Sequence, residues 1–362
     1  MTGLHSLEPT IPPPLRGRGV GVFSEVTGGS PWNERKDTND PLIQFGYGER
    51  PALGNRKELE MKVFITGGTG FVGTTLTQKL AHEGHEVTLL TRSIKSHPAS
   101  FQGVSYVEGD PTQKGPWQEK VADQDVAINL AGASIFRRWS DSAKKLIWDS
   151  RIQTTQNLVE ALSARKGKET HLFSTSAVGY YGFHEDEVLD EDRPSGEGFL
   201  ADLSKGWESA AIKAQDYGAD VILMRFGIVL GRRGGALQQM IPPFKWWMGS
   251  ALGSGNQWFS WIHEQDLVNI FLYLINQKEI SGAVNCTAPN PVTNRELTQV
   301  LGEVLSKPTF MPAVPGFMMS LILGEFGSVL LKGQRVVPKK LLDAGFRSSF
   351  PDLRSALKDL LG

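Results

Sequence analysis

Three glycines stand where the backbone could bind a phosphate group. Gly67, Gly70 and Gly73 follow the β-branched run VFIT and open the helix-periodic stretch FVGTTLTQKLAHEG. Glycine permits a tight turn, a close approach of backbone to a ligand, and close packing of a helix on a strand. The N–H groups at the start of the helix, at Phe71 and Val72, would then face the anion. The pattern predicts a dinucleotide pyrophosphate site, with a tight turn that binds no ligand as the alternative.

Further candidate contacts lie where the next predicted strands end. Arg92 follows Thr91 at the end of the second strand, where an NAD site usually offers an acidic residue to the ribose 2′-hydroxyl. A cation there favours a 2′-phosphate, so NADP(H) is predicted; an exposed strand-end arginine is the alternative. Asp110 ends the third strand as a candidate partner of the adenine amino group. The fourth strand ends in residues small enough for a cofactor to pass: Leu130, Ala131 and Gly132.

Short β-branched runs alternate with helical patterns from Met61 onward. The runs are MKVFITG, HEVTLLTR, VSYVEGD, DVAINLAG, HLFSTSA, ADVILMRFG and, later, GAVNCTA. This alternation predicts an α/β fold with a Rossmann-type, doubly wound parallel sheet. We expect a disordered extension at 1–60, an NADP-binding Rossmann domain at 61–230, and a smaller substrate lobe at 231–362. Strand 282–288 of that lobe should return to the sheet.

Composition excludes several classes of protein and site. A net charge of −1 gives no field that would favour nucleic acid. The single cysteine, Cys286, excludes an internal disulfide, suits a reducing compartment such as the cytoplasm, and predicts a buried thiol rather than a metal site. The most apolar stretch, 314–332, is interrupted by Gly324, Glu325 and Gly327. We therefore expect a helix packed on protein and no transmembrane segment.

Longer motifs give a more specific resemblance. FSTSAVGYYG and MRFGIVLG resemble the extended short-chain dehydrogenase/reductase superfamily of nucleotide-sugar epimerases and dehydratases. GFLADLSKGWE, GSGNQWFSWIHEQDL, NCTAPNPVTNREL and GQRVVPKKLLDAGFRSSFPDLRSAL resemble its atypical branch of epimerase-family proteins, some of them named cell-division inhibitors. The resemblance runs from Met61 to about Leu361 and includes that branch's C-terminal domain of unknown function, at about 313–361. It implies NADP(H) contacts at Gly67, Gly70, Gly73, Thr91, Arg92, Leu130 and Ala131.

The resemblance also implies catalytic roles. In the superfamily a serine holds the substrate oxygen, a tyrosine transfers the proton, and a lysine binds the nicotinamide ribose and lowers the tyrosine pKa. Ser176 matches the serine and Lys205 the lysine, whereas Ala201 stands at the position of the tyrosine. Tyr181, just after Ser176, is a candidate replacement acid, with aromatic packing as the alternative. For Lys205 the alternative is an ion pair with Asp202.

Two functions remain open. One is an epimerase-like NADP(H)-dependent oxidoreductase of a small carbonyl or hydroxyl compound. In it Arg151 contacts the cofactor, unless Arg151 only forms a helix-surface ion pair with Asp149 or a neighbouring residue. The missing tyrosine suggests the other, a degenerate NADP-binding regulator or scaffold linked to cell or plastid division. The resemblance alone implies that the protein forms a homodimer. It also implies that, in plastid-bearing lineages, the protein lies in the stroma or at the membrane periphery.

Three tryptophans are expected to line an apolar pocket or pack in a core: Trp246, Trp247 and Trp258.

Overall fold

Seven strands form one parallel sheet at the centre of the structure, a computed structural model that describes residues 60–96, 102–165, 169–277 and 279–362. The predicted N-terminal extension lies, up to residue 59, outside the described residues. Short strands outside this sheet form two-stranded pairs. All described strands, in chain order, are β1 (Lys62–Thr66), β2 (Glu86–Thr91), β3 (Val104–Glu108), β4 (Val126–Asn129), β5 (Thr170–Ala177), β6 (Val188–Leu189), β7 (Ala219–Phe226), β8 (Ile228–Leu230), β9 (Trp258–Phe259), β10 (Trp261–His263), β11 (Gly282–Cys286), β12 (Val292–Thr293) and β13 (Arg335–Val336).

The order of the central sheet is β11-β7-β5-β4-β1-β2-β3, with every neighbouring pair parallel. The chain enters at β1, builds β2 and β3 outward on one side, and crosses back to place β4 on the other side of β1. The connections that leave β1 and β4 therefore diverge, and ligands of doubly wound sheets bind at such a point. The predicted α/β fold with a doubly wound parallel sheet is confirmed.

Helices cover both faces of this sheet because strand side chains alternate between the faces. In β1, Val63 and Ile65 belong to one apolar cluster, which includes Leu76 of the first helix, whereas Phe64 belongs to the opposite cluster with Leu158. The helices in chain order are α1 (Phe71–His82), α2 (Asp141–Leu162), α3 (Phe199–Ile212), α4 (Leu237–Lys245), α5 (Glu264–Ile275), α6 (Asn294–Leu305), α7 (Gly316–Leu323), α8 (Glu325–Val329), α9 (Lys339–Asp343) and α10 (Leu353–Leu361).

The chain beyond β7 partly packs beside the sheet and returns to it once, at β11. β11 pairs with β7 at the sheet edge, and α6 packs on α10 through Leu301 and Leu357. Asp266 in α5 accepts the backbone N–H groups of Ser349 and Phe350 at 2.8 and 2.9 Å, which fixes the C-terminal segment to that helix. The described residues from 60 onward form one compact unit, and a domain boundary at residue 230 stays a prediction.

The apolar stretch at 314–332 differs from the expectation of one packed helix. It forms α7 and α8, separated by Gly324, whose left-handed backbone (φ 63°) turns the chain between them. α8 packs through the buried Phe326, but α7 buries no side chain fully, and Phe317 and Leu321 are each 73% exposed. Leu323 of α7 packs against the cluster that contains Phe326, so the predicted packing on protein holds for one edge of α7 and not for the edge with Phe317 and Leu321. Among the described residues, no helix combines the length and the apolar character needed to cross a bilayer.

Two of the three singled-out tryptophans also lie elsewhere than expected. Trp246 and Trp247 are 75% and 58% exposed, so they neither line an enclosed pocket nor pack in a core. They follow α4 directly, where Trp247 adopts a left-handed backbone (φ 61°) that directs the chain away from the helix. Trp258 is half-buried, and its ring nitrogen donates a hydrogen bond to Asp186 at 2.9 Å.

Candidate functional site

The glycine loop after β1 lies directly against the end of β4. Gly67 has a left-handed backbone (φ 73°), which residues with a side chain rarely adopt. A Cβ atom on Gly67 would lie 2.7 Å from the carbonyl carbon of Leu130 and 2.8 Å from the nitrogen of Ala131. The loop can touch β4 only because residue 67 is glycine. This contact brings together the two strand ends between which the connections diverge.

The other two glycines join the loop to α1. The N–H of Gly70 donates to the carbonyl oxygen of Gly67 at 3.0 Å and closes the turn. A Cβ atom on Gly73 would lie 2.3 Å from that same oxygen, so α1 packs on the loop without space for a side chain. No described side chain caps the start of α1. The first-turn N–H groups, including those of Phe71 and Val72, therefore suit an anion with several oxygens.

The predicted adenine-side residues lie at the ends of β2 and β3. Thr91 is buried, and its hydroxyl contacts the carbonyl oxygen of Ser93 at 3.3 Å. Arg92 is exposed at the strand end. The carboxylate of Asp110 accepts hydrogen bonds from the N–H and the hydroxyl of Thr112 at 2.9 and 2.7 Å, so it already stabilises a local turn. Its remaining acceptor positions face solvent.

Arg151 brings a cation to the end of β4. Its guanidinium carbon would lie 3.1 Å from a Cβ atom on Gly132, and Nη1 donates to the carbonyl oxygen of Ala133 at 3.0 Å. Burial lowers the pKa of Arg151 to about 10. Asp149 pairs instead with Lys145 at 2.5 Å, so the ion pair that the sequence left open does not form. Within the described chain, no carboxylate forms a salt bridge with this half-buried cation.

The position at which the superfamily has its tyrosine is occupied by an apolar residue that solvent does not reach. Ala201 in α3 is 0% exposed. Ser176, at the end of β5, is buried too, and its hydroxyl donates to Oε1 of Glu208 at 2.6 Å. Glu208 lies two turns beyond Ala201 on the same helix. The structure thus holds the Ser176 hydroxyl on an internal carboxylate.

Arg225 of β7 neutralises Glu208 inside the protein. Its Nε and Nη2 atoms donate to the two carboxylate oxygens at 2.8 and 2.9 Å, a bidentate pair in which neither side chain is more than 8% exposed. Burial acts to lower the pKa of Arg225, but the hydrogen bonds and charge of Glu208 outweigh it and raise the pKa. The guanidinium also stacks on the ring of Tyr180, 3.5 Å from its centroid. The two side chains therefore form a buried, bidentate pair that shields them from solvent.

Tyr181 belongs to the same buried network. Its hydroxyl accepts a hydrogen bond from Nη1 of Arg225 at 2.9 Å and donates one to Oδ1 of Asn285 at 2.7 Å. The side chain is 0% exposed, and burial raises the pKa of Tyr181 to about 12. This placement favours the packing role that the sequence left open. A role as replacement acid stays a prediction.

Lys205 keeps an accessible end. Its Nζ lies 2.8 Å from Oδ1 of Asp202, the alternative partner that the spacing allowed, and both side chains are more than 40% exposed. Exposed pairs of this kind contribute about 0–1 kcal/mol. The ammonium can therefore exchange Asp202 for another acceptor at little cost.

Sequence reasoning missed the residues that complete the buried network, although one signal was present. Arg225 interrupts the apolar run VILMRF, and a cation inside a buried strand requires a partner. Glu208 and Asn285 supply partners from distant segments, which no local pattern indicates. Glu191 joins them as a buried carboxylate that accepts the N–H of Asn285 at 3.0 Å.

The site therefore combines two parts with different chemistry. The glycine loop, the start of α1 and Arg151 offer N–H groups and a cation to an anionic dinucleotide. The network of Ser176, Glu208, Arg225 and Tyr181 holds its polar atoms in internal hydrogen bonds. Nowhere in the described ranges do three His, Cys, Asp or Glu side chains gather as a metal site.

Family comparisons account for most of the chain. It matches the NAD dependent epimerase/dehydratase family over residues 63–286 and a domain of unknown function, DUF1731, over residues 314–360. One relative is the chloroplastic epimerase family protein SDR39U1 homologue of Arabidopsis thaliana, which is 40% identical to this chain over 309 residues. The aligned residues cover 85% of this chain and 88% of that protein. YfhF of Bacillus subtilis is 38% identical over 302 residues, 83% of this chain and 98% of YfhF.

A solved structure also resembles this chain. The crystal structure of human epimerase family protein SDR39U1, isoform 2, with NADPH is 35% identical and superposes with a TM-score of 0.72. The superposition covers 83% of this chain and 99% of the human chain.

Replacement of Arg225 by Met should destabilise the fold by about 3–5 kcal/mol, because it leaves the buried Glu208 carboxylate without its counter-charge. The measurement is the free energy of unfolding in urea. A double variant, Arg225→Met with Glu208→Leu, should recover part of the loss, since it removes the uncompensated charge. Equal stability of the wild type and Arg225→Met would show that the pair is not formed.

Proposed function

Because the chain belongs to the NAD dependent epimerase/dehydratase family, we propose that it is an NADP(H)-binding, epimerase-like oxidoreductase. Its substrate is an unidentified small carbonyl or hydroxyl compound. The observation that carries the proposal is the glycine loop held against β4, with the uncapped start of α1 behind it. The crystal structure of the human relative with NADPH supports the choice of cofactor.

The described residues fit this cofactor. Side chains at Gly67, Gly70 or Gly73 would meet backbone, so the loop leaves room where phosphates approach the chain. Arg92 is exposed at the end of β2, where a 2′-phosphate distinguishes NADP(H) from NAD(H). The proposed contacts are Gly67, Gly70, Phe71, Val72, Gly73, Thr91, Arg92, Asp110, Leu130, Ala131, Gly132, Arg151 and Lys205.

Arg151 has the clearest physical case among the side chains. Its guanidinium is half-buried, burial lowers its pKa, and no carboxylate of the described chain forms a salt bridge with it. A nearby anion would therefore stabilise its charged form. It lies beside Gly132, where a Cβ atom would crowd its guanidinium carbon. We therefore assign Arg151 to the cofactor, where it adds charge to the hydrogen bonds of the backbone.

The bound cofactor would supply or accept a hydride. Lys205 would exchange Asp202 for the ribose hydroxyls of the cofactor, since its present ion pair is exposed. Ser176 and Tyr181 remain candidates for contact with the substrate oxygen. Each would first have to release a buried hydrogen bond, to Glu208 or to Asn285. Proton transfer would thus differ from that of a tyrosine–lysine pair.

A second function is favoured by a specific observation. The hydroxyls of Ser176 and Tyr181 both serve the buried Glu208–Arg225 pair, and Ala201 has no titratable group. A chain of this kind could bind NADP(H) as a regulatory or scaffold protein without turnover. A single cysteine suits a reducing compartment such as the cytoplasm or a plastid stroma, and homodimerisation is proposed on family grounds alone.

Arg92→Ala should weaken NADPH binding by about 1.5–3 kcal/mol, the value of a hydrogen bond to a charged group, or about 10- to 100-fold in Kd. NADH binding should stay unchanged, because NADH lacks the 2′-phosphate. Fluorescence titration of both dinucleotides gives the two Kd values. Lys95→Ala, which removes an exposed cation three residues away, is the control; tighter binding of NADH than NADPH by the wild type would contradict the assignment of Arg92.

Incubation of the protein with NADPH and a broad metabolite extract separates the two functions. An oxidoreductase should oxidise NADPH and change a metabolite, followed by absorbance of the cofactor and mass spectrometry of the products. Arg151→Gln should lower this turnover through weaker binding. Tight NADPH binding with neither cofactor oxidation nor a changed metabolite in any extract would favour the regulatory function, since an epimerisation returns the hydride and shows only as a new product.

A further inference from the structure

The loop between β8 and α4, residues 231–235, is a tight turn with a fixed backbone. Leu230 and Gly235 form an antiparallel bridge, and the N–H of Ala236 donates to the carbonyl oxygen of Val229 at 3.1 Å. Gly235 has a left-handed backbone (φ 72°), which closes the turn. The loop is therefore held at both ends by backbone hydrogen bonds.

Three glycines of this loop lie against one aromatic ring, that of Phe71. A Cβ atom on Gly231 would lie 2.1 Å from Cζ of the ring, one on Gly234 would lie 2.4 Å from Cδ2, and one on Gly235 would lie 3.0 Å from Cε1. No larger residue could hold these positions without moving the loop. Since Phe71 is the first residue of α1, these ring contacts place the loop next to the helix start, where the phosphates are proposed to bind.

Two arginines in the loop have different surroundings. The N–H of Arg232 donates to Oε1 of Glu264 at 3.0 Å, and its side chain donates to the carbonyl oxygen of Asp359. Arg233, between Arg232 and Gly234, is exposed, and its guanidinium makes no hydrogen bond or salt bridge to the part of the chain that the structure describes. Burial raises the pKa of Glu264, while the charges of both arginines act in the opposite direction. Arg233 thus belongs to the loop that touches Phe71 and interacts with the charge of Glu264, while its guanidinium donors have no hydrogen-bond partner within the described chain.

We propose that Arg233 is a further cofactor-binding residue, which contacts the pyrophosphate of NADP(H). A guanidinium forms charge-assisted and often bidentate hydrogen bonds with phosphate. Arg92, at the end of β2, is the proposed contact of the cofactor's 2′-phosphate. Arg233 belongs to a different segment, the loop that touches Phe71. Because the loop is already held by Phe71 and by backbone hydrogen bonds, only the side chain has to become ordered on binding. This inference rests on the proposed function, since it requires NADP(H) at the glycine loop.

Binding of two probes to three variants tests the inference. Arg233→Gln removes the charge at similar length, Arg233→Lys keeps the charge, and Arg347→Gln removes an exposed cation outside the site. The probes are NADPH, which contains the pyrophosphate, and adenosine 2′-monophosphate, which lacks it. Fluorescence titration measures NADPH binding, and calorimetry measures binding of the monophosphate.

Arg233→Gln should bind NADPH about tenfold more weakly, as for loss of one charge-assisted hydrogen bond, and bind the monophosphate as the wild type does. Arg233→Lys should lose less, and Arg347→Gln should lose nothing. Unchanged NADPH binding by Arg233→Gln, or an equal loss for both probes, would overturn the inference and leave the proposed function intact. Failure of the wild type to bind NADPH would instead overturn the proposed function, and the inference with it.

Discussion

The contact between Gly67 and the end of β4 is the constraint on which the proposed cofactor site depends. The absence of a side chain at residue 67 lets the loop lie within van der Waals contact of Leu130 and Ala131. That contact sets the direction of α1, because Gly73 packs on the same loop, and it brings the N–H groups of the helix start to the end of β4. Arg151 then adds a cation beside Gly132. Removal of this contact would separate the groups that together suit a dinucleotide.

A buried ion pair governs the neighbouring region. Glu208 and Arg225 are costly to place in the interior, and the structure satisfies them with Ser176 and Tyr181. The hydroxyl of Ser176, which the resemblance assigns to the substrate oxygen, and that of Tyr181, the candidate replacement acid, thus stabilise charge inside the fold. Cofactor binding and proton transfer are therefore separable in this chain. The first relies on backbone geometry, whereas the second lacks the tyrosine and would have to use residues that already have structural partners.

The local sequence pattern predicted those features of the fold that depend on residues close together in the chain. The seven strands of the sheet, the glycine loop and the α/β fold follow from alternation, β-branched runs and glycine spacing. The buried network could not be predicted this way, because Ser176, Glu208, Arg225 and Asn285 meet only after β5, α3, β7 and β11 assemble. Apolar composition likewise did not reveal that α7 would be exposed, since burial depends on which surface a helix finds. The exposed Trp246 and Trp247 make the same point.

The most direct test of the cofactor site is calorimetric titration of NADPH into the wild type and into Gly70→Val. Gly70 is exposed, and a Cβ atom there would lie 3.1 Å from the carbonyl oxygen of Gly67, a tight contact that a small shift of the loop relieves. The methyl groups of the valine would occupy the space beside the N–H groups of α1. We predict one NADPH per wild-type chain and no measurable binding to Gly70→Val, with cooperative thermal unfolding of the variant as the control that it is folded. Equal NADPH affinity of the two proteins would contradict a cofactor site at the glycine loop.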